Sequence, residues 1–378
     1  MTLHGLVLTG GGARAAYQAG ALRALAELLG PHHTFPVIAG VSAGAINAAA
    51  LAARAGDFRS AAHELCGLWA GLQPESVYRT DVRSLARIGS RWIRDIAGGG
   101  LLGRSGVNHL LDTSPLRGLL TARLGLERLP ARLADGSLRG LAVTATSYAT
   151  GTALSFFDGA PDLQPWARST RIGVRETITL DHVMASAAIP VFFPPVTLRG
   201  SSFGDGCVRM SAPLSPAIHM GADRIIAIGI RFRRPTEEVV ALNAPRPAAP
   251  PRLSDIAGLL LNAVFLDSLE TDLERVNRIN RTLALVAPGR RDELALRPVP
   301  VLALQPSQDL GKLAAQQYSE FPRTLRHLLA GIGATGDNGW DLVSYLAFEP
   351  VYLGRLLDLG YADTMARARE VEAFVSAG

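Results

Sequence analysis

The sequence contains very little cysteine and lysine. Its two cysteines, Cys66 and Cys207, provide neither a disulfide framework nor the ligand spacing of a zinc site, so we expect no metal. All 38 basic residues except Lys312 are arginine, and the formal net charge is +5. No nucleic-acid-binding motif accompanies the arginines, so we expect no nucleic-acid partner. A positive excess of this size is compatible with anionic membrane surfaces or acidic ligands.

Long apolar runs are absent as well. No stretch of 18 residues is apolar enough to span a bilayer, and residues 37–53, which come nearest, contain Ser42 and Asn47. Met1 leads directly into a predicted strand without the basic region and cleavage site of a signal peptide. We therefore expect a soluble cytoplasmic protein that meets membranes only peripherally. A length of 378 residues is enough for one large domain or two.

Two glycine-rich motifs near the N-terminus carry the main positive signal. The first motif is Gly10-Gly11-Gly12-Ala13-Arg14. It follows a predicted buried strand at residues 4–9 and precedes a predicted helix at residues 15–29. Glycines let a ligand approach the main chain, and the first N–H groups of a helix have no partner inside the helix and favour negative charge. The motif therefore predicts an anion cradle, with Arg14 as an added cation at its mouth.

The second motif places a serine on a tight turn between a strand and a helix. It is Gly40-Val41-Ser42-Ala43-Gly44, which has the G-x-S-x-G form of a nucleophile elbow. A predicted strand at residues 35–39 precedes it, and an almost entirely apolar helix at 43–53 follows. Gly40 and Gly44 relieve crowding around the turn, and the helix start behind Ser42 lowers the cost of an alkoxide. A nucleophile beside an oxyanion cradle is the minimum apparatus for acyl transfer.

The glycine loop also permits a second interpretation. Gly10, Gly12 and Ala15 fit the G-x-G-x-x-G/A fingerprint of dinucleotide-binding proteins. That fingerprint needs an acidic residue after the second strand to hold a ribose. Here the second strand ends at Ser42 instead, and Glu27 lies within the first predicted helix. Nicotinamide binding therefore stays a third interpretation. It ranks behind acyl transfer and behind a non-catalytic protein that binds an acyl chain in the same pocket.

The serine needs a general base, and the histidines fit poorly. Only His219 and His327 follow the best acidic candidate in the chain, and neither lies in a glycine-rich loop after a strand. Asp205 is the stronger candidate, because it lies in a short loop after a predicted strand at residues 196–198. Residues 185–195 precede that strand as a small-residue helix end and a proline-rich aromatic turn. Such a turn is expected to wall an apolar pocket and to hold the Asp205 loop still.

These four motifs, in this order, resemble the patatin-like phospholipase family over roughly residues 4–230. The resemblance implies a Ser–Asp dyad without histidine, in which Ser42 is the nucleophile and Asp205 the base. It also implies an oxyanion hole of backbone N–H groups in the glycine loop, and no cofactor. Two small residues depart from the common pattern: Ala15 where glycine often stands, and Cys207 where glycine or alanine often follows Asp-Gly.

The implied activity is hydrolysis of lipid esters through an acyl-enzyme, with a phospholipid, a lysophospholipid or another acyl ester as substrate. The implied fold is a three-layer α/β/α arrangement around a central, mostly parallel sheet. A non-catalytic member of the family, which uses the same pocket to bind an acyl chain or a partner, stays open as the alternative.

The rest of the chain predicts an extension after the catalytic part. We expect a catalytic domain at 1–234, a proline-rich linker or loop at 235–252, and a mostly helical extension at 253–378 that packs on the catalytic domain. Within the extension, a long helix is expected from residue 254 to about residue 280. Two late strands are expected at residues 283–286 and 301–304.

Two segments have open roles. Residues 79–96 have the pattern of a basic amphipathic helix, and the glycine-rich residues 98–103 follow it. Residues 79–103 are therefore interpreted as a peripheral membrane contact or a lid, or as a helix packed on the core. The long helix that starts at residue 254 either packs on the sheet, pairs with a second copy in a homodimer, or touches lipid.

Overall fold

Ten strands of the described residues form one sheet. The computed structural model describes residues 2–79, 108–245, 253–265, 267–294, 296–317 and 340–377, together with residues 90 and 326. The strands are β1 His4–Leu8, β2 Val37–Val41, β3 Gly140–Ser147, β4 Ala153–Gly159, β5 Trp166–Ala167, β6 Arg171–Arg175, β7 Val196–Leu198, β8 Ser201–Asp205, β9 Arg224–Ile228 and β10 Val301–Leu304. Their order is β10-β9-β1-β2-β3-β4-β6-β5, and β8 pairs with both β3 and β7.

The middle of the sheet is parallel. Strands β10, β9, β1, β2 and β3 run in one direction, whereas β4 and β8 are antiparallel to β3. The fold is therefore α/β with a central, mostly parallel sheet, as expected. In such sheets ligands bind beyond the carboxyl ends of the strands, where the two glycine-rich motifs begin.

The described chain also contains α-helices and short 3₁₀ turns. The α-helices are α1 Ala16–Leu29, α2 Ala43–Ala52, α3 Phe58–Ala70, α4 Pro74–Val77, α5 Ser114–Arg123, α6 Leu129–Ala134, α7 Leu180–Ser186, α8 Ser215–His219, α9 Thr236–Leu242, α10 Leu253–Phe265, α11 Asp267–Leu285, α12 Pro288–Arg291, α13 Leu310–Ala315, α14 Trp340–Leu346, α15 Pro350–Ala366 and α16 Ala368–Ser376. The 3₁₀ turns are Gly12–Ala15, Leu126–Arg128, Gly206–Val208 and Asp292–Leu294. None of the described helices is both long and apolar enough to cross a membrane.

Alternate residues of β1 point to opposite faces of the sheet, which gives three layers. Leu6 and Leu8 belong to a first apolar cluster with side chains of α1, α2, α3 and α15. Val7 belongs to a second cluster with side chains of α8 and α11. Such alternation follows from the two-residue period of a strand, and both faces are apolar because helices cover both.

The segment after residue 235 differs from the expected linker and strands. Thr236–Leu242 is a helix rather than loop, because two glutamates lie in its first turn and the proline stands before that turn rather than inside it. Residues 246–252 of the expected linker at 235–252 lie outside the described residues. A strand at 283–286 is also wrong, since α11 continues to Leu285 and buries Leu283. The strand at 301–304 is confirmed as β10.

The predicted long helix at residues 254–280 corresponds to α10 and α11. Leu269 and Val276 of α11 are buried in the second cluster, and Leu273 packs against it. The apolar repeat of α11 therefore covers the sheet, as expected of core packing. The other segment with an open role is residues 79–103. Within it, residues 80–89 and 91–103 lie outside the described residues.

The C-terminal part packs directly on the N-terminal part through α15 and α1. At their crossing a Cβ atom on Gly20 would lie 1.9 Å from the carbonyl oxygen of Leu357. A Cβ atom on Gly360 would lie 2.0 Å from the carbonyl oxygen of Tyr17. Glycine at both positions therefore sets how closely the two backbones approach.

We expect Gly20→Ala to lower the free energy of unfolding by about 1–3 kcal/mol, because the added methyl group forces α1 and α15 apart. Gly354→Ala, in the partner helix α15, is the control. No atom lies within 4 Å of a Cβ at that position, and alanine favours a helix by about 1 kcal/mol over glycine. Denaturant unfolding of the variants measures both effects. Equal stability of Gly20→Ala and wild type would contradict the close crossing.

Candidate active site

Ser42 occupies a strained turn between β2 and α2. Its φ of 58° lies in the left-handed region, which a residue other than glycine rarely adopts. The two flanking glycines make this turn possible. A Cβ atom on Gly40 would lie 2.4 Å from the carbonyl oxygen of Gly44, and one on Gly44 would lie 2.3 Å from that of Leu8. The predicted elbow is therefore present as a tight turn, and such strain is typical of functional sites.

The sheet register brings Asp205 to Ser42. Val41, the last residue of β2, pairs with Thr144 of β3, and the next residue of β3, Ala145, pairs with Asp205. Strand β8 thus continues the ladder at the point where β2 leaves it. As a result, the Ser42 hydroxyl donates a 2.5 Å hydrogen bond to Oδ2 of Asp205.

Asp205 is fully buried and held from several sides. Its Oδ1 accepts a 2.9 Å hydrogen bond from the backbone N–H of Cys207. Its own N–H donates to the carbonyl oxygen of Ala188 over 2.9 Å. Burial raises the pKa of Asp205 to about 7, although the hydrogen bonds from Ser42 and Cys207 act in the opposite direction. The carboxyl is therefore poised to exchange a proton near neutral pH.

Histidine does not take part in this contact. The Ser42 hydroxyl is bonded to a carboxyl oxygen, and His219 lies at the end of α8, where its ring stacks on Trp166 at 4.5 Å. Its Nδ1 lies 2.8 Å from the carbonyl oxygen of Ser215, which is the capping role expected at a helix end. His327, the other candidate, lies outside the described residues.

The glycine loop lies against the Ser42 turn. A Cβ atom on Gly10 would lie 2.6 Å from the Cβ of Ser42, and one on Gly12 would lie 2.2 Å from the carbonyl oxygen of Tyr345. No residue in the described ranges accepts a hydrogen bond from the backbone N–H of Gly11, Gly12 or Ala13. Three N–H groups of the predicted cradle are thus available, and Gly12 lines the same cavity as Ser42.

Arg14 has a different place from the one predicted. Its N–H donates to the carbonyl oxygen of Gly11 over 3.2 Å, so this group is occupied. Its side chain is buried, donates to Oδ1 of Asp341 at 3.0 Å and to Oγ of Ser344 at 2.8 Å, and lies over the ring of Tyr345. The guanidinium therefore ties α14 to the loop instead of facing the mouth of the cradle.

A buried polar network beneath the loop had no clear sequence signal. Gln18 donates to the carbonyl oxygens of Thr9 at 2.7 Å and Ile228 at 3.1 Å. Asn47 donates to Oε1 of Gln18 at 2.9 Å and accepts from the indole N–H of Trp69 at 2.7 Å. The network fixes the loop relative to α2, which begins directly after Ser42. The one available hint was a polar residue, Asn47, in an otherwise apolar helix.

Ser186 holds the elbow from the other side. Its hydroxyl accepts a 2.9 Å hydrogen bond from the Ser42 N–H and donates a 2.6 Å bond to the carbonyl oxygen of Thr144. Ser186 is fully buried. It lies in the block at 185–195 that was predicted to steady the Asp205 loop, and its direct contact with Ser42 was not predicted.

Ser42 opens onto an apolar cavity. The cavity contains about 500 Å³ of space, including the part open to solvent. Apart from Ser42, every side chain of the described residues that lines it is apolar: Ala43, Ile46, Leu68, Trp69, Leu72, Val77, Leu116, Leu119, Leu120, Ala187, Ile189, Phe193 and Phe348. Three of these residues come from the block at 185–195, which confirms the prediction that this block walls an apolar pocket. A hydrocarbon chain fits such a lining better than a polar ligand does.

A sequence model of the family described as patatin-like phospholipase matches residues 6–218, which is more than half of the chain. The match contains Ser42, Asp205 and the glycine loop. No curated protein matches the sequence significantly. Within the described residues, no group of three or more histidine, cysteine, aspartate or glutamate side chains is arranged to hold a metal ion.

Solved structures match nearly the whole chain at low sequence identity. VipD from Legionella pneumophila is 14% identical, with 98% of this chain and 67% of that chain covered and a TM-score of 0.37. Human GIVD cytosolic phospholipase A2 is 13% identical, with coverages of 100% and 60% and a TM-score of 0.47. A chain of the SpcU–ExoU complex from Pseudomonas aeruginosa is 17% identical, with coverages of 99% and 78% and a TM-score of 0.28. This chain thus spans 60% of the human protein that it matches. The family assignment rests instead on the sequence model that matches residues 6–218.

We expect Ser186→Ala to lower the free energy of unfolding by about 1–3 kcal/mol, because it leaves the buried Ser42 N–H and Thr144 carbonyl without their partner. Ser202→Ala, at an exposed position of β8, is the control and should change stability by less than about 0.5 kcal/mol. Denaturant unfolding separates the two. A Ser186→Ala variant as stable as Ser202→Ala would contradict the assigned role.

Proposed function

This chain belongs to the patatin-like phospholipase family, and we propose that it is a serine hydrolase that cleaves carboxylic esters of lipids. One observation carries the proposal: the Ser42 hydroxyl, at the edge of an apolar cavity, donates a hydrogen bond to a buried carboxyl whose pKa is about 7. Family membership supports the class of enzyme. The residue roles and the substrate are our inference.

The chemistry would proceed in two steps. Asp205 accepts the proton of Ser42, and Oγ of Ser42 attacks the ester carbonyl while the N–H groups of Gly11, Gly12 and Ala13 hold the developing oxyanion. The alcohol leaves with a proton from Asp205, and an acyl-enzyme remains. Water, deprotonated by Asp205, then attacks the acyl carbon, and Oγ of Ser42 leaves with the proton from Asp205 as the fatty acid is released. Each oxyanion donor typically lowers the barrier by about 2.7–4 kcal/mol.

The substrate class follows from the cavity. Its lining offers apolar contact for an acyl chain and, in the part of the chain that the structure describes, no charged partner for a head group. We therefore propose a phospholipid or lysophospholipid whose chain enters the cavity while its head group stays outside. No metal or other cofactor takes part in this scheme. Access to such substrates requires contact with a membrane or micelle surface, and residues 79–103 stay the proposed contact.

The segment at 253–378 would complete the site rather than merely extend the chain. Arg14 binds Asp341 and Ser344, and Phe348 lines the cavity. The N-terminal segment 1–234 would carry the reacting groups, and 235–252 would connect the two. We propose that removal of 253–378 exposes the glycine loop and abolishes activity.

A second candidate is an acyl-chain-binding protein without turnover. It is favoured by one observation, namely that Ser42 is only 1% exposed and Asp205 is fully buried. A closed dyad of this kind either opens when substrate arrives or does not react at all. Covalent labelling distinguishes the two candidates.

We expect a fluorophosphonate to add one label to the wild-type protein and none to Ser42→Ala, because only an activated serine attacks this phosphorus centre. Asp205→Asn should label at least about a hundredfold more slowly, since it removes the base. Intact-protein mass spectrometry gives the adduct count and the rate. Ser202→Ala, the exposed serine of β8, should label as the wild type does.

Two results would reject the assignment. Full labelling of Asp205→Asn would remove Asp205 as the base. Failure of the folded wild type to label, both alone and with phospholipid vesicles, would favour the acyl-chain-binding candidate.

We expect kcat/KM on a soluble ester to rise with pH to a plateau, with a midpoint near the Asp205 pKa of about 7. The rate rises with pH because Asp205 must be ionised to act as the base. Burial of the carboxyl disfavours ionisation and therefore moves the midpoint upward. By the same linkage, the folded state binds a proton that the unfolded state releases, so the free energy of unfolding falls as pH rises toward 7. A flat rate profile across about pH 5–9 would contradict this role for Asp205.

A further inference from the structure

A second cavity lies on the opposite face of the sheet from Ser42. It contains about 1410 Å³ of space, including the part open to solvent. Its walls include Val276 and Val299 of the second cluster, whereas the Ser42 cavity is lined by Ile46, Trp69 and Phe193 of the first cluster. The two cavities are therefore separated by the sheet, and the second takes no part in the proposed reaction.

The second cavity is lined by an excess of arginine. Four arginines contribute to the lining: Arg168, Arg171, Arg275 and Arg297. Arg297 already caps the end of α8, because it donates to the carbonyl oxygens of Ile218 and Ala222. Of the lining residues that the structure describes, Asp272 alone carries a carboxylate. The charge of the walls is thus clearly positive.

A tight hairpin holds two of these arginines side by side. The N–H of Arg168 donates to the carbonyl oxygen of Arg171 at 2.8 Å, and the N–H of Arg171 donates back at 3.4 Å. Residues paired in this way are directly opposite one another and project from the same face of the hairpin. Two like charges at such a pair destabilise a hairpin unless an anion lies between them.

The single carboxylate is occupied by other groups. Asp272 accepts a 3.0 Å hydrogen bond from the N–H of Leu214 and lies 3.3 Å from Nη1 of Arg275. Nη1 of Arg171 is buried and has no hydrogen-bond partner among the described residues. Burial lowers the pKa of Arg171, and the charges of Arg275 and Arg168 lower it further, against the opposing effect of Asp272. Among the described residues, no carboxylate accepts a hydrogen bond from Arg168 or Arg171.

We propose that this cavity binds a small phosphate-bearing ligand through Arg168, Arg171 and Arg275. A phosphate monoester carries a charge of about −1.5 to −2 near neutral pH, which matches the two uncompensated guanidinium groups. Guanidinium forks bind phosphate oxygens in a bidentate manner. The apolar side chains of Ile279 and Leu296 line the same cavity and would contact the rest of the ligand.

Calorimetric titration of the full-length protein with inorganic pyrophosphate tests the site. We expect Arg171→Gln and Arg168→Gln each to weaken binding by about tenfold or more, because each removes charge-assisted hydrogen bonds. Arg59→Gln, an exposed arginine of α3, makes the same charge change and should bind as the wild type does. Thermal unfolding of each variant establishes that it is folded.

A second arm identifies the source of the phosphate. Sedimentation with phosphatidylcholine vesicles, with and without phosphatidic acid, is compared for wild type, Arg171→Gln and Arg59→Gln. Binding that requires both phosphatidic acid and Arg171 assigns the phosphate to a lipid head group. Arg171-dependent binding of pyrophosphate alone assigns it to a soluble ligand. The proposal is overturned if neither probe binds, or if Arg59→Gln weakens binding as much as Arg171→Gln does.

Discussion

The site depends on how one strand replaces another beside β3. Strand β2 pairs with β3 up to Val41, and β8, which ends at Asp205, occupies the same edge from Ala145 of β3 onward. Since a strand advances about 3.3 Å per residue, this change of partner at consecutive positions leaves Ser42 and Asp205 within hydrogen-bond reach. A shift of one residue in the ladder between β3 and β8 would turn Asp205 to the other face of the sheet.

Burial of Ser42 and Asp205 has two linked consequences. The apolar walls of the Ser42 cavity exclude water, which suits a hydrocarbon chain and raises the pKa of Asp205 to about 7. The same environment strengthens any hydrogen bond from the glycine loop to a developing oxyanion. One feature of the packing thus provides both an apolar cavity beside Ser42 and a carboxyl that exchanges protons near neutral pH.

The C-terminal part stabilises the N-terminal site through close backbone contact. Helix α15 crosses α1 at paired glycines, and α14 binds the buried Arg14 guanidinium. Strand β10 extends the parallel sheet beyond β9. The glycine loop is therefore held from below by Gln18 and Asn47 and from above by α14. Such support on two sides keeps a glycine-rich segment in one conformation despite its intrinsic freedom.

The sequence by itself determined the local parts of this protein: the glycine loop, the Ser42 elbow, the family and the candidate base Asp205. These could be predicted because each strand, turn and helix is specified by neighbouring residues. Tertiary structure decided the rest, including the Ser186 support, the Asp341 partner of Arg14 and the arginine-lined cavity. Those contacts join residues far apart in the chain, and pairing of distant strands and helices leaves no periodic pattern in sequence. The position of Asp205 against Ser42 needed both, since the end of strand β8 supplied the carboxyl and the ladder with β3 placed it.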